Sequence, residues 1–128
     1  MKHSIIIVIL RMDTRILLNL FHVLLVAPFL LWIGIARGNI PAEVFQGLVA
    51  LGIFMIIYHG YKAYGRWLQG SDNLWVNLIH VLWLGPLLIY IGYRKKETPR
   101  SAYEMLLLTA FGALGYHLYE LATRFDFL

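Results

Sequence analysis

The chain has 128 residues, of which 60% are hydrophobic and 14% charged, with a formal net charge of +4 and no cysteine. Charged residues make up about a quarter of an ordinary soluble domain, so the composition excludes that class and makes the lipid bilayer the expected partner. Without cysteine there are no disulfides, thiolate metal sites or iron–sulfur clusters, and only imidazole and oxygen remain as metal ligands.

Residues 1–11 read as an N-terminal extension or interfacial segment: the apolar run Ile5–Leu10 after Lys2 and His3 is short for a signal sequence. Met12 offers an alternative start. Asp13 or Thr14 then caps a first helix over about 14–36, since both residue types accept orphan helix N–H groups. Pro41 suits the first turn of a second helix, over about 42–67. Ser71 or Asp72 caps a third over about 72–93, and Pro99 repeats the role of Pro41 ahead of a fourth over about 101–124. Residues 16–36, 44–61, 74–93 and 105–119 contain no Asp, Glu, Lys or Arg, and about 20 such residues cross a bilayer.

The chain contains one pattern twice. Aligned without gaps at a shift of 58, residues 19–34 match residues 77–92 at 9 of 16 places. The same shift carries Pro41 onto Pro99, Leu48 onto Leu106, Tyr58-His59 onto Tyr116-His117, Tyr61 onto Tyr119 and Arg66 onto Arg124. The expected fold is therefore all-α, an integral membrane four-helix bundle made of two parallel tandem repeats, residues 12–69 and 70–128. Both termini should lie on one side with the 67–73 turn. Arg37, Arg94, Lys95, Lys96 and Arg100 flank one face, and Arg11, Arg15, Lys62, Arg66 and Arg124 the other, so the positive-inside rule sets no orientation. Basic flanks beside apolar spans suit anionic lipid headgroups. No motif for nucleic acid is present.

His22 lies about eight residues, roughly 12 Å, into the first helix, and His59 is at a matching depth in the second. The repeat adds His80 and His117, so four histidines are expected in one layer, one per helix. Asn19 and Asn77 share a helix face with His22 and His80 by the three-residue spacing. His59 shares its face with Lys62 and Arg66, and His117 shares its face with Glu120 and Arg124. Pro28 and Pro86 fall inside helices, where each removes a hydrogen bond and frees the carbonyl four residues back, that of Leu24 or Leu82, as a kink or gate. Tyr58, Tyr61, Tyr116 and Tyr119 are either part of a headgroup-level aromatic belt or partners that orient the imidazoles.

Ionisable residues inside a membrane mark function by default, against the plainer role of polar links between helices. The first functional reading is a channel or transporter, able to work as a homo-oligomer, that moves protons or a small cation past His22, His59, His80 and His117. The alternative is a haem b held by two of these histidines for electron transfer, with Lys62, Arg66 and Arg124 near its propionates, or copper on several imidazoles. A structural membrane protein without chemistry is the third reading. No hydrolase, kinase or nucleotide motif and no His-x-x-x-His zinc pair is present, so nothing points to an enzyme.

The stretches Met12-Asp13-Thr14-Arg15-Ile16-Leu17-Leu18-Asn19-Leu20-Phe21-His22 and Tyr58-His59-Gly60-Tyr61-Lys62 resemble short membrane proteins of large DNA viruses of marine algae. The resemblance covers nearly the whole chain. It implies a viral origin and carries no activity or site residues with it.

Overall fold

The computed structural model describes residues 13–125, which are helical with no strand among them; the expected extension 1–11 lies outside the described residues. Four helices are each long and apolar enough to cross a membrane: α1 (Thr14–Asn39), α2 (Ala42–Leu68), α3 (Leu74–Glu97) and α4 (Arg100–Arg124). Asp13 caps α1 as expected, its carboxylate accepting the Arg15 N–H at 3.2 Å. The expected cap of α3 by Ser71 or Asp72 is corrected. Asn73 holds the N-cap position without a side-chain bond, and Ser71 Oγ accepts the Asn73 N–H instead, at 3.3 Å. Its backbone is committed to closing α2: the Ser71 N–H reaches Arg66 O at 2.9 Å and the Gly70 N–H reaches Trp67 O at 3.1 Å. Gly70, at φ 63°, supplies the left-handed residue this helix ending requires.

Neither α1 nor α3 is a plain α-helix. Each widens into a π-helical turn, over His22–Val26 and His80–Leu84, two residues ahead of Pro28 and Pro86. A proline ring collides with the carbonyl four residues back and has no N–H to offer. Widening the turn shifts the register, so that the Ala27 N–H bonds to His22 O and the Gly85 N–H to His80 O. The carbonyls of Leu24 and Leu82 thus fall inside the widened turns instead of below an ordinary kink.

Both helices then end alike, in single 3-10 turns over Arg37–Asn39 and Lys95–Glu97. Arg37 at φ 54° and Lys95 at φ 53° are the described non-glycine residues with positive φ. The π turns, the 3-10 turns, the positive-φ residues and the starts of α2 and α4 all recur at a spacing of 58.

The described residues fall into two compact units. One combines residues 13–32 of α1 with 108–125 of α4. Its α1 and α4 stretches are tied by the Arg124–Asp13 ion pair at 2.7 Å and the Arg15–Glu120 pair at 3.7 Å. Ala27, Leu30 and Ala110 are buried.

The other unit spans residues 33–107 and is dominated by α2 against α3. The buried stripe Phe45, Leu48, Gly52 and Met55 of α2 recurs every three or four residues. It meets Leu84, Gly85, Leu88, Ile91 and Gly92, which are buried on α3. The approach is close enough that a Cβ on Gly52 would lie 2.7 Å from Gly85 O, and one on Gly92 would lie 2.5 Å from Phe45 O. Small residues at a crossing let backbones approach in this way, the usual device where lipid removes the hydrophobic drive between helices.

The opposite faces are large and apolar, with Leu24, Ile35 and Leu82 each 71% exposed and Leu108 72%. Such continuous apolar surface is foreign to water-soluble monomers.

Candidate functional site

The structure brings the four predicted histidines together two by two, and each pair joins a residue from the first half of the sequence to one from the second. In the unit of residues 13–32 and 108–125, the His22 ring of α1 stacks on the His117 ring of α4, with centroids 4.3 Å apart and planes 24° from parallel. In the unit of residues 33–107, His80 of α3 stacks on His59 of α2 at 4.0 Å and 16°.

Hydrogen bonds fix the rings from their Nδ1 edges. His22 Nδ1 lies 2.7 Å from Leu18 O and His80 Nδ1 lies 2.6 Å from Val76 O. A carbonyl only accepts, so both nitrogens carry hydrogen, and in the neutral ring the lone pair sits on Nε2. The other member of each pair bonds to an asparagine: His117 Nδ1–H donates to Asn19 Oδ1 at 2.7 Å, and Asn77 Nδ2–H donates to His59 Nδ1 at 3.0 Å. Asn19 and Asn77 are 2% and 4% exposed, and the remaining amide atoms, Asn19 Nδ2 and Asn77 Oδ1, are buried without a hydrogen-bond partner. An unsatisfied buried polar atom costs about 1–3 kcal/mol, and among the described residues these two atoms share that condition with Arg124 Nε alone.

The π turns explain how a polar residue joins the buried stripe. Asn19 precedes Ala27 by eight residues and Asn77 precedes Gly85 by eight. In an uninterrupted α-helix, at about 100° per residue, the residue in phase lies seven back, which would be Leu20 or Leu78. The widened turn absorbs one residue, so Asn19 and Asn77 are buried while Leu78 is 38% exposed. Sequence periodicity alone would not have found this; the paired prolines were the available signal.

The other predicted residues separate by position. Tyr58 and Tyr116 set their rings edge-on to the adjacent His59 and His117, with centroids 5.1 Å apart in each case. Tyr61 and Tyr119 face outward, 77% and 61% exposed, as belt residues do. Arg66 Nη1 donates to Asn73 O at 2.9 Å and Arg124 pairs with Asp13, so each tethers the second helix of its half to the start of α3 or α1. Glu120 pairs with Arg15. Sequence reading had not singled out Asp13 and Arg15 as ion-pair partners or the Leu18 and Val76 carbonyls as ring acceptors.

A haem iron takes two imidazoles on opposite faces of its macrocycle, each aiming a nitrogen lone pair at the metal. Rings stacked face to face at 4.3 and 4.0 Å leave no gap for a macrocycle between the members of either pair. Among the described residues no three His, Asp or Glu side chains form a group that could hold a metal ion. Compared with known protein families, curated proteins and solved structures, the chain matches none.

Proposed function

We propose that this chain is a small multi-pass integral membrane protein, built as two tandem copies of a two-helix unit with both termini on one side, that carries protons or a small cation along its histidines. The observation that carries the reading is the stacked imidazole pair, held by the same hydrogen-bond scheme in each unit. Titratable rings within apolar spans are costly and are retained for function by default. The recurrence at 58 residues of the π turn and the 3-10 turn supports the tandem reading.

The stack dictates what each pair can do. Two imidazolium rings about 4 Å apart would repel by ~4 kcal/mol at an effective dielectric of about 20, so placing a charge on both rings of one pair is disfavoured. Face-to-face rings share no in-plane N–H···N bond, so a proton enters and leaves through the ring edges. His22 and His80, with Nδ1–H committed to a carbonyl, accept it at Nε2.

The test is proton flux into proteoliposomes, followed with an internal pH-sensitive dye. Wild type is compared with the double variants His22→Phe/His80→Phe and His59→Phe/His117→Phe, with helix content checked by circular dichroism. Flux in the wild type and its loss in both folded variants is the expected result. Undiminished flux in either variant would overturn the reading. Absent wild-type flux would favour the histidines as interhelical links of about 0.6–2 kcal/mol each, unless an absorption spectrum of the purified protein showed a Soret band.

A further inference from the structure

The end of α3 departs from the repeat in charge while keeping its shape. Arg94-Lys95-Lys96 stand where the first half has Ala36-Arg37-Gly38, yet both segments make the same 3-10 turn with a positive φ at the same place, Lys95 or Arg37. The turn forms with one cation as well as with three, so the added charge answers to something other than folding. The backbone that carries it is fixed: Lys95 O accepts hydrogen bonds from Thr98 Oγ1 at 2.6 Å and from Tyr103 OH at 3.3 Å, and both donor residues are buried.

Arg94, Lys95 and Lys96 line an open cavity of about 700 Å³, together with Glu97 and with Ala42 and Phe45 of α2. Three cations against the single Glu97 carboxylate leave the lining positive. Among the described residues none of the three forms an ion pair, whereas the neighbouring Arg100 is paired with Glu104 at 2.6 Å. Ala42 is the first residue of α2, where the helix dipole is positive and Pro41 supplies no side-chain cap. Basic residues at the end of an apolar span lie at the depth of lipid headgroups.

We propose that this cavity binds a phosphate group of net negative charge, carried by an anionic phospholipid headgroup or free in solution, with Arg94 and Lys96 as its charge partners. Arginine offers phosphate oxygens a fork of N–H donors, and lysine adds a compact point charge. A phosphate that carries choline fits poorly, because its ammonium would meet the same cations. The site is independent of the proton-carrying reading.

The experiment is native mass spectrometry of the full-length chain released from detergent micelles, with phosphatidylglycerol or phosphatidylcholine added at equal concentration. A further arm titrates inorganic phosphate alone, followed by its 31P linewidth. Phosphatidylglycerol should be held about tenfold more tightly than phosphatidylcholine, and Arg94→Gln and Lys96→Gln should each weaken it about fivefold or more. Glu97→Gln, which removes the opposing charge, should tighten it. Lys62→Gln removes the same charge as Lys96→Gln, but twenty residues from Ala42, about 30 Å along α2. That exceeds the screening length of about 10 Å in 0.1 M salt, so the change should be less than about twofold. Phosphate broadening that is lost in the Arg94 and Lys96 variants, without a preference between the lipids, would identify free phosphate as the occupant. Equal weakening by Lys62→Gln and Lys96→Gln in chains of unchanged helix content would reduce the effect to net charge and overturn the site. So would the absence of both lipid preference and phosphate binding.

Discussion

Adding one methyl group at equivalent glycines should separate the two halves of this chain. Gly92 of α3 and Gly34 of α1 are related by the 58-residue shift, yet they face different obstacles. A Cβ on Gly92 would stand 2.5 Å from Phe45 O and 2.9 Å from Val49 N, both backbone atoms of α2. Reaching an ordinary contact of 3.4 Å from 2.5 Å requires the helices to part by about 0.9 Å, spread over their whole crossing. Overpacking of this kind typically costs about 1–3 kcal/mol, against a gain of up to about 1 kcal/mol from replacing a helical glycine with alanine. At Gly34 the near atoms are the tip of the Leu107 side chain, at 2.6 Å, while the Tyr103 carbonyl stands at 3.3 Å. A leucine can change rotamer where a backbone cannot. Gly92→Ala should therefore lose about 1–2 kcal/mol and Gly34→Ala less than about 1 kcal/mol. Gly112→Ala, with nothing within 4 Å of its Cβ, should gain about 0.5–1 kcal/mol. Reversible unfolding in mixed micelles with increasing dodecyl sulfate, monitored by helix signal, measures all three. Equal stability of the Gly92 and Gly34 variants would refute the argument from backbone rigidity.

Lys95→Gly should stabilise the chain by about 1 kcal/mol in the same assay, because a positive φ strains any side-chain-bearing residue; Lys96→Gly, at an ordinary backbone position, should give no such gain. Thr98→Val should cost about 1–2 kcal/mol, since the buried hydroxyl donates to Lys95 O at 2.6 Å with Ile91 O also near at 3.2 Å, whereas Thr98→Ser should restore most of the loss. Asp13→Asn and Arg124→Gln should couple by no more than about 0.5–1 kcal/mol in a double-mutant cycle, a value reduced by solvent screening at side chains 53% and 27% exposed. That coupling should shrink as salt is raised.

The four spans were legible because about 20 uncharged residues in a row have few other destinations. Asn19, Asn77 and the four histidines stood out in the sequence because a polar group within such a span must find a partner; Asn19, Asn77 and His117 are buried, while His22, His59 and His80 are half-buried. Which histidine meets which was not legible. A 58-residue shift relates His22 to His80 and His59 to His117, but it says nothing of the exchange that stacks His22 on His117 and His80 on His59. The positive φ of Arg37 and Lys95 was equally hidden, because a basic residue gives no local reason to adopt a conformation suited to glycine. The start of α3 was misjudged because Ser71 and Asp72 have good capping chemistry, while the ending of α2 had already claimed the Ser71 backbone.

The π turns make the length of two short segments as significant as their chemistry. Between Asn19 and Pro28, and again between Asn77 and Pro86, one residue is present beyond what a regular helix would need to connect its two faces. Deleting a single residue there, such as the outward-facing Leu24 or Leu82, would place Asn19 seven residues ahead of Ala27 and Asn77 seven ahead of Gly85, the in-phase spacing of an ordinary α-helix. The helix would close into ordinary turns with the asparagine and histidine still on the same side. An insertion is the damaging event: a second extra residue, not absorbed by the widened turn, would rotate everything before it by about 100° and carry the asparagine and histidine off the buried stripe.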